Sequence, residues 1–520
     1  MMENGVGDII TVMNLAWQYA PATQATEPVP GLRNINCYVS RGTLTGIVGP
    51  TGSGKTTFAK TLIGLIPHCT AGTMNGFARV ADMNVKSTSV SNLSTHIGYV
   101  GQDPRTQMTS ATVHEEIAFP LENRGIDGEE IRARVEEVLD ELHIGHLRDR
   151  AVDTLSTGEA ERVAIASAIA PRPQVLILDE PISPLDREGR DDLVRVLARM
   201  REEEGTTVLL VEQDTDILSR HADAVFLMVD GEIIRRTTRD IFAREGALLE
   251  SVGVIVPSDG GRDLSIGPAT PAAAADAAVV LDHVRFSYPH ATAHERTPLE
   301  DVSLTVGQGD FIGITGPNGS GKSTLVRLLN GILRPQAGKV TVGGADVTSR
   351  SVTQMAHQVA FVTQDPMSML FGGTVHEEIA YGPRALGCDE ATVASRVAAM
   401  VRLFDLYGVE DVPARTLSSG EQRAVALACA LAMETPVLVL DEPVVGLDQR
   451  LKSRFLNTIA ARNRQGTTVV MVCQDTDAIE RYCTHAARLD EGHLVAYGTV
   501  RGSREPFVDP SSRQMGGMQG

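Results

Sequence analysis

Two octets in this chain have the residue types and spacing to hold a phosphate, Gly49-Pro50-Thr51-Gly52-Ser53-Gly54-Lys55-Thr56 and Gly316-Pro317-Asn318-Gly319-Ser320-Gly321-Lys322-Ser323. Their glycines let backbone N–H groups curl around a β-phosphate, and a helix that starts there presents roughly half a positive charge to it. Lys55 and Lys322 can reach β- and γ-phosphates, while the hydroxyls of Thr56 and Ser323 can ligate Mg2+. Thr57 and Thr324 continue each octet into a helix-like run, and a strand-like run precedes it, Thr43 to Val48 and Asp310 to Thr315. One such octet could arise by chance. Two in matched settings could not, so the sequence implies a chain that binds two nucleotides.

The elements that position these loops are themselves duplicated. Gln102-Asp103-Pro104 returns as Gln364-Asp365-Pro366, and Thr112-Val113-His114-Glu115-Glu116-Ile117-Ala118 as Thr374-Val375-His376-Glu377-Glu378-Ile379-Ala380. Leu155-Ser156-Thr157-Gly158-Glu159 returns as Leu417-Ser418-Ser419-Gly420-Glu421, and Leu178-Asp179-Glu180-Pro181 as Leu440-Asp441-Glu442-Pro443. One domain, 8–250, is thus used again over 278–502. The stretch 251–277, with its Pro, Gly and Ala, reads as a linker, and 503–520 as a disordered tail. Runs such as Val175 to Leu178 and Val437 to Leu440 read as buried parallel strands, and Glu129 to Leu142 as an amphipathic helix. Strands alternating with helices around a phosphate loop give a parallel-sheet α/β core.

Composition sets limits on function. With 520 residues, 42% apolar and 22% charged, the chain is ordinary for α/β domains and too long for one core. No apolar run approaches the roughly 20 residues that span a bilayer. The acidic start, with Glu3 and Asp8, does not resemble a secretory signal, so the chain is expected in the cytoplasm unless a partner holds it at a membrane. A net charge of −19 argues against broad nucleic-acid binding, and no nucleic-acid partner is expected. The six cysteines are dispersed, which points to neither zinc nor a disulfide framework.

The order of these motifs in each half, above all Leu-Ser-x-Gly-Glu before the acidic strand, resembles the nucleotide-binding domains of ATP-binding-cassette (ABC) proteins. The resemblance spans the chain outside the linker and tail. It implies two tandem P-loop domains, each a RecA-like parallel-sheet core with a β subdomain and an α-helical subdomain. It implies ATP hydrolysis with ATP and Mg2+. Asp179 and Asp441 would hold the metal with Thr56 and Ser323, and Glu180 and Glu442 would polarise the attacking water. Gln102 and Gln364 would contribute to the metal or the water. Tyr19 and Tyr288 match the aromatic that stacks on adenine, Tyr19 more loosely. Ser156 with Gly158, and Ser418 with Gly420, match the signature that binds a γ-phosphate across a head-to-tail dimer. The two halves would then pair within one chain, each site joining one half's lysine and acids to the other half's signature. Asp186 and Asp448 match the loop at the dimer seam.

The chain departs from the family where a histidine usually meets the γ-phosphate. Gln213 and Gln474 stand there, able to donate a hydrogen bond but not to carry an imidazolium charge. Both halves keep the Glu, so slow but genuine hydrolysis is expected at both sites, without an acid limb from a switch histidine. Thr157 and Ser419 replace a usual signature glycine. His114 and His376 precede paired acids; their matched placement reads as a surface beside the Gln loop rather than a metal site.

The segments Thr112 to Pro120 and Thr374 to Pro383 resemble those of energy-coupling-factor and cobalt-type importer ATPases, as does Leu248 to Val254. That resemblance implies a subunit at the cytoplasmic face of the membrane, working with a transmembrane coupling protein and a substrate-capturing membrane protein. The cargo would be a vitamin or a transition-metal ion. A fused sugar-importer ATPase has the same layout, although its second half usually has a degraded site, unlike Lys322 and Glu442. A soluble tandem ATPase acting on ribosomes usually has a long charged helical linker in place of this Ala/Gly/Pro stretch.

Overall fold

Alternation of apolar residues along short β-branched runs dictates a sheet covered on both faces. In the run Val175–Asp179, Leu176 and Leu178 join one apolar cluster, while Val175 and Ile177 join a second on the opposite face. Leu44 and Val48 against Ile47, and Val208 and Leu210 against Leu209, repeat the division. Each such side chain contributes about 1.5–3 kcal/mol when fully buried. A strand buried on both faces suits a parallel sheet flanked by helices.

The computed structural model describes residues 7–20, 28–182, 185, 187–213, 215–256, 264–268, 276–288, 298–445 and 447–500. Asp186, most of the linker and the tail from Ser503 lie outside these residues. The chain divides into two units, Met1–Gly260 and Gly261–Gly520.

The first unit contains β1 (Asp8–Tyr19), β2 (Val29–Ser40), β3 (Leu44–Val48), β4 (Gly72–Val80), β5 (Met83–Asn84), β6 (Ile97–Val100), β7 (Val175–Asp179), β8 (Thr207–Val211), β9 (Ala224–Val229) and β10 (Glu232–Thr237). A four-stranded antiparallel sheet runs β2-β1-β4-β5, and a six-stranded sheet runs β10-β9-β3-β8-β7-β6, parallel except for the edge strand β10. Helices Val113–Glu122, Gly128–Glu141 and Thr157–Ile169 pack beside the larger sheet.

The second unit repeats the plan with β11 (Ala277–Phe286), β12 (Leu299–Gly307), β13 (Phe311–Thr315), β14 (Ala337–Val342), β15 (Ala345–Asp346), β16 (Val359–Val362), β17 (Val437–Asp441), β18 (Thr468–Val472), β19 (His485–Asp490) and β20 (His493–Thr499). Its sheets run β12-β11-β14-β15 and β16-β17-β18-β13-β19-β20. Every strand thus has a counterpart ten places on, in the same spatial order.

Part of the linker docks on the second unit. Ile266 pairs with Val500, and Gly267 N donates to the Thr499 carbonyl at 2.8 Å. Among the described residues no helix is long and apolar enough to cross a membrane. All six cysteines are unbridged, with Cys37, Cys473 and Cys483 buried and Cys69 exposed.

Candidate functional site

Strand order alone brings the candidate residues together. β3, β8, β7 and β6 are successive neighbours, with Ile47 level with Val211, Asp179 with Val211, and Val100 with Leu178. Their carboxyl ends therefore share one rim, and the residues that follow are the phosphate loop, Gln213, Glu180 and Gln102. Open α/β sheets bind ligands at such a rim. The second unit aligns Ile314, Val472, Asp441, Leu440 and Val362 in the same way, which assembles its loop, Gln474, Glu442 and Gln364.

Each loop turns into its helix, Lys55–Leu62 or Lys322–Leu329, through a glycine in the left-handed region, Gly54 or Gly321 at φ 97°. A Cβ there would lie 2.7 Å from the Gly31 carbonyl oxygen, or 2.0 Å from that of Pro298, so no other residue fits. The helices start at the lysines, two residues earlier than the apolar pattern suggests, because the glycine itself serves as cap. Lys55 Nζ donates to the Gly49 and Pro50 carbonyls at 2.7 and 2.9 Å, and Lys322 to those of Gly316 and Pro317 at 2.8 and 2.7 Å. Both ammonium groups are buried within their loops.

The tyrosines occupy matching places. The hydroxyl of Tyr19 lies 2.8 Å from Thr57 Oγ1, and that of Tyr288 lies 3.2 Å from Thr324 Oγ1. Each ring is set edge-on against an aromatic two residues before it, Trp17 or Phe286. Tyr19, the looser match in sequence, is placed as well as Tyr288.

Burial dominates the electrostatics of the acids. Asp179 is pushed up to about 6 by desolvation and then by the charge of Glu180, against the pull of Thr56, Lys55 and Lys60. Thr56 lies close, yet neither Asp179 oxygen closes a hydrogen bond of ordinary geometry among the described residues. In the second unit Ser323 Oγ donates to Asp441 Oδ1 at 3.2 Å; burial raises Asp441, and Ser323 opposes that rise. Glu442 is pushed up to about 7, first by burial, with Lys322 opposing and Asp441 adding to the shift. Its backbone has φ 50° and that of Glu180 φ 60°, a sharp exit from β17 and β7 that turns each carboxylate back over the rim.

The two units differ in what holds those carboxylates. Gln102 Nε2 donates to Glu180 Oε2 at 2.9 Å, and Gln213 Nε2 to Glu180 Oε1 at 2.8 Å. Gln474 Nε2 donates instead to Asn318 Oδ1 at 2.9 Å, and among the described residues neither oxygen of Glu442 accepts a bond of ordinary geometry. The Ser53 and Ser320 hydroxyls are likewise buried without a hydrogen-bond partner there. Orphaned hydroxyls and carboxylates around a buried lysine suit a polyphosphate with a divalent cation.

Ser156 and Ser418 sit at helix starts rather than at strand ends. Each is exposed and caps a helix, Thr157–Ile169 or Ser419–Ala432, in a reciprocal box with Glu159 or Glu421. Gly158 and Gly420 lie buried in the first turn. Arg105 Nη2 ties the first cap to the Gln-Asp-Pro turn by donating to the Leu155 carbonyl at 2.6 Å. No hydrogen bond among the described residues joins either serine to the phosphate loop of its own unit. Asp448 is committed to its own helix, accepting from Leu451 N at 2.8 Å.

Two structural acids were not singled out from the sequence. Glu212 is fully buried and accepts from the backbone N–H of Ile182 at 2.8 Å, ordering the turn after Glu180. Its counterpart is Cys473, and the second unit instead anchors this region through the ion pair of Asp475 with buried Lys452. The mismatch of Val211-Glu212-Gln213-Asp214 with Val472-Cys473-Gln474-Asp475 was the available signal.

The profile described as ABC transporter matches residues 32–183 and 299–445. A protein of Methanosarcina mazei, bearing the name of an ABC transporter ATP-binding protein, is 32% identical over 488 residues, covering 94% of each chain. One of Streptomyces avermitilis with the same name is 32% identical over 521 residues, covering 90% of this chain and 91% of its own. Among solved structures, cbiO1 from Clostridium perfringens, part of the ABC transporter complex cbiONQ, aligns at 30% identity and a TM-score of 0.40, covering 47% of this chain and 94% of its own.

Proposed function

Because the chain belongs to the ABC transporter family, as two ATP-hydrolysing cassettes in tandem, we propose that it is the fused ATPase subunit of an energy-coupling-factor type importer. It would power uptake of a vitamin or a transition-metal ion through separate membrane proteins. The observation that carries this reading is the repeated Thr-Val-His-Glu-Glu-Ile-Ala segment after each Gln loop, with both sites intact. An exposed aromatic pair beside it adds support. Phe371, between Gln364 and the helix Val375–Ala385, and Tyr381, within that helix, are 73% and 58% exposed, their rings 4.9 Å apart. Such a patch offers an apolar handle to a partner.

Within each cassette, the loops 49–56 and 316–323 would hold the phosphates of ATP, with Tyr19 and Tyr288 against adenine. Thr56 with Asp179, and Ser323 with Asp441, would hold Mg2+, which supplies charge neutralisation on the phosphates. Gln102 and Gln364 complete each rim. Glu180 and Glu442 would orient water: its oxygen bonds to the γ-phosphorus as the bond to the ADP oxygen breaks, and its proton leaves towards the carboxylate. The signature serines, exposed and without a hydrogen bond to their own loops among the described residues, suit a site completed by the other cassette in a head-to-tail pair. ATP would favour that closed pair, and hydrolysis would release it.

Affinity purification of the tagged chain from detergent-solubilised membranes tests the importer role. Recovery of a multi-span coupling protein with a second small membrane protein supports it. Recovery of ribosomes, with the chain absent from the membrane fraction, sinks it.

A further inference from the structure

Each unit sets an amide at the same point of its sheet and gives it a different partner. Gln213 Nε2 lies 2.8 Å from Glu180 Oε1 and only at the limit, 3.5 Å, from Thr51 Oγ1. Gln474 Nε2 lies 2.9 Å from Asn318 Oδ1. Thr51 and Asn318 occupy the same third position of their octets. A threonine hydroxyl is short, whereas the acceptor oxygen of an asparagine side chain reaches one bond farther. The longer acceptor draws the amide to the loop; the shorter one leaves it for the carboxylate. Glu180 thus accepts from Gln213 on one oxygen and from Gln102 on the other, whereas among the described residues Glu442 accepts from neither Gln474 nor Gln364. A carboxylate that must orient a water gains from such a double brace, because its position and its plane are both fixed before the water arrives.

We propose that the third residue of each phosphate loop decides which side of the site the following glutamine braces. Gln213 is a positioning residue for Glu180, Gln474 is diverted to the loop by Asn318, and the first unit's site turns over faster than the second's. This rests on the reading of Glu180 and Glu442 as the residues that polarise water.

The test is steady-state hydrolysis of Mg·ATP by the full chain, read as kcat and KM. Each exchange, T51N and N318T, installs a residue that the other loop already carries, so folding should survive, and thermal melts check it. T51N and Q213A should each lower kcat about fivefold to tenfold with KM within about twofold, and the double variant should fall no lower than either single one. N318T should raise kcat by up to about twofold, and the gain should vanish in N318T/Q474A. T51N leaving kcat unchanged while Q213A lowers it, T51N changing KM alone, or a silent N318T would each overturn the proposal. E180Q and E442Q separate the two levels. If both retain full kcat, the water-polarising reading fails and the proposal with it. If they abolish turnover while the loop exchanges are silent, only the inference falls.

Discussion

Ser323 Oγ donates to Asp441 Oδ1 at 3.2 Å, tying the end of a phosphate loop to the end of β17 across 118 residues of sequence. In the first unit Thr56 stands near Asp179 without closing that bond. A hydroxyl and a buried carboxylate so placed are two oxygen ligands of the kind a small divalent cation takes together with phosphate oxygens.

Removing either hydroxyl should therefore raise the Mg2+ requirement more than the ATP requirement. For S323A and for T56A, half-maximal ATPase activity should need at least about tenfold more Mg2+. The check is a Mg2+ titration at fixed ATP, and an unchanged midpoint in both variants would remove these residues from the metal site.

Burial of the acids has a consequence for stability. In the folded chain Asp179 and Glu442 hold protons up to about 6 and about 7, above their unfolded values. A raised pKa contributes stability that is fully present below the unfolded value and is lost as pH rises through the folded one. Without nucleotide, D179N and E442Q should thus raise Tm more at pH 8 than at pH 5. A Tm gain that is equal at the two pH values would contradict the shift.

The tyrosines allow ring and hydroxyl to be separated. If the ring of Tyr19 or Tyr288 carries the adenine contact, Y19A and Y288A should raise KM for ATP by about fivefold to tenfold, while Y19F and Y288F stay near the parent. If the hydroxyl bonds to Thr57 and Thr324 matter more, the phenylalanine variants will follow the alanine ones.

Much of this molecule was legible in the sequence because motifs at strand ends are carried by topology. Once β3, β8, β7 and β6 are neighbours, Lys55, Gln213, Glu180 and Gln102 must share a rim, whatever the loops between them do. Helix starts were less legible, since the left-handed Gly54 and Gly321 cap helices that begin at the lysines. The docking of Ile266 on Val500 was hidden in a stretch whose Pro, Gly and Ala content reads as linker. Least legible was the unlike bracing of Glu180 and Glu442. The glutamines match in sequence, and the loop residues they face lie 162 and 156 residues away at Thr51 and Asn318, where a hydroxyl and an amide differ by a single bond of reach.

Those glutamines also bear on rate. Gln213 donates through Nε2, and its Oε1 is buried without a donor among the described residues. Imidazole can donate to the carboxylate or to a γ-phosphate and can also hold a positive charge, which an amide cannot. Histidine at both positions, Q213H with Q474H, should therefore raise kcat about tenfold or more and add an acid limb near an imidazole pKa of about 6.5. The parent should show no such limb from this position. A pH–rate profile of both proteins decides the matter. A fall in kcat on introducing the histidines would mean that the rim is shaped around an amide, with Glu180 dependent on the bond from Gln213 that the imidazole cannot reproduce.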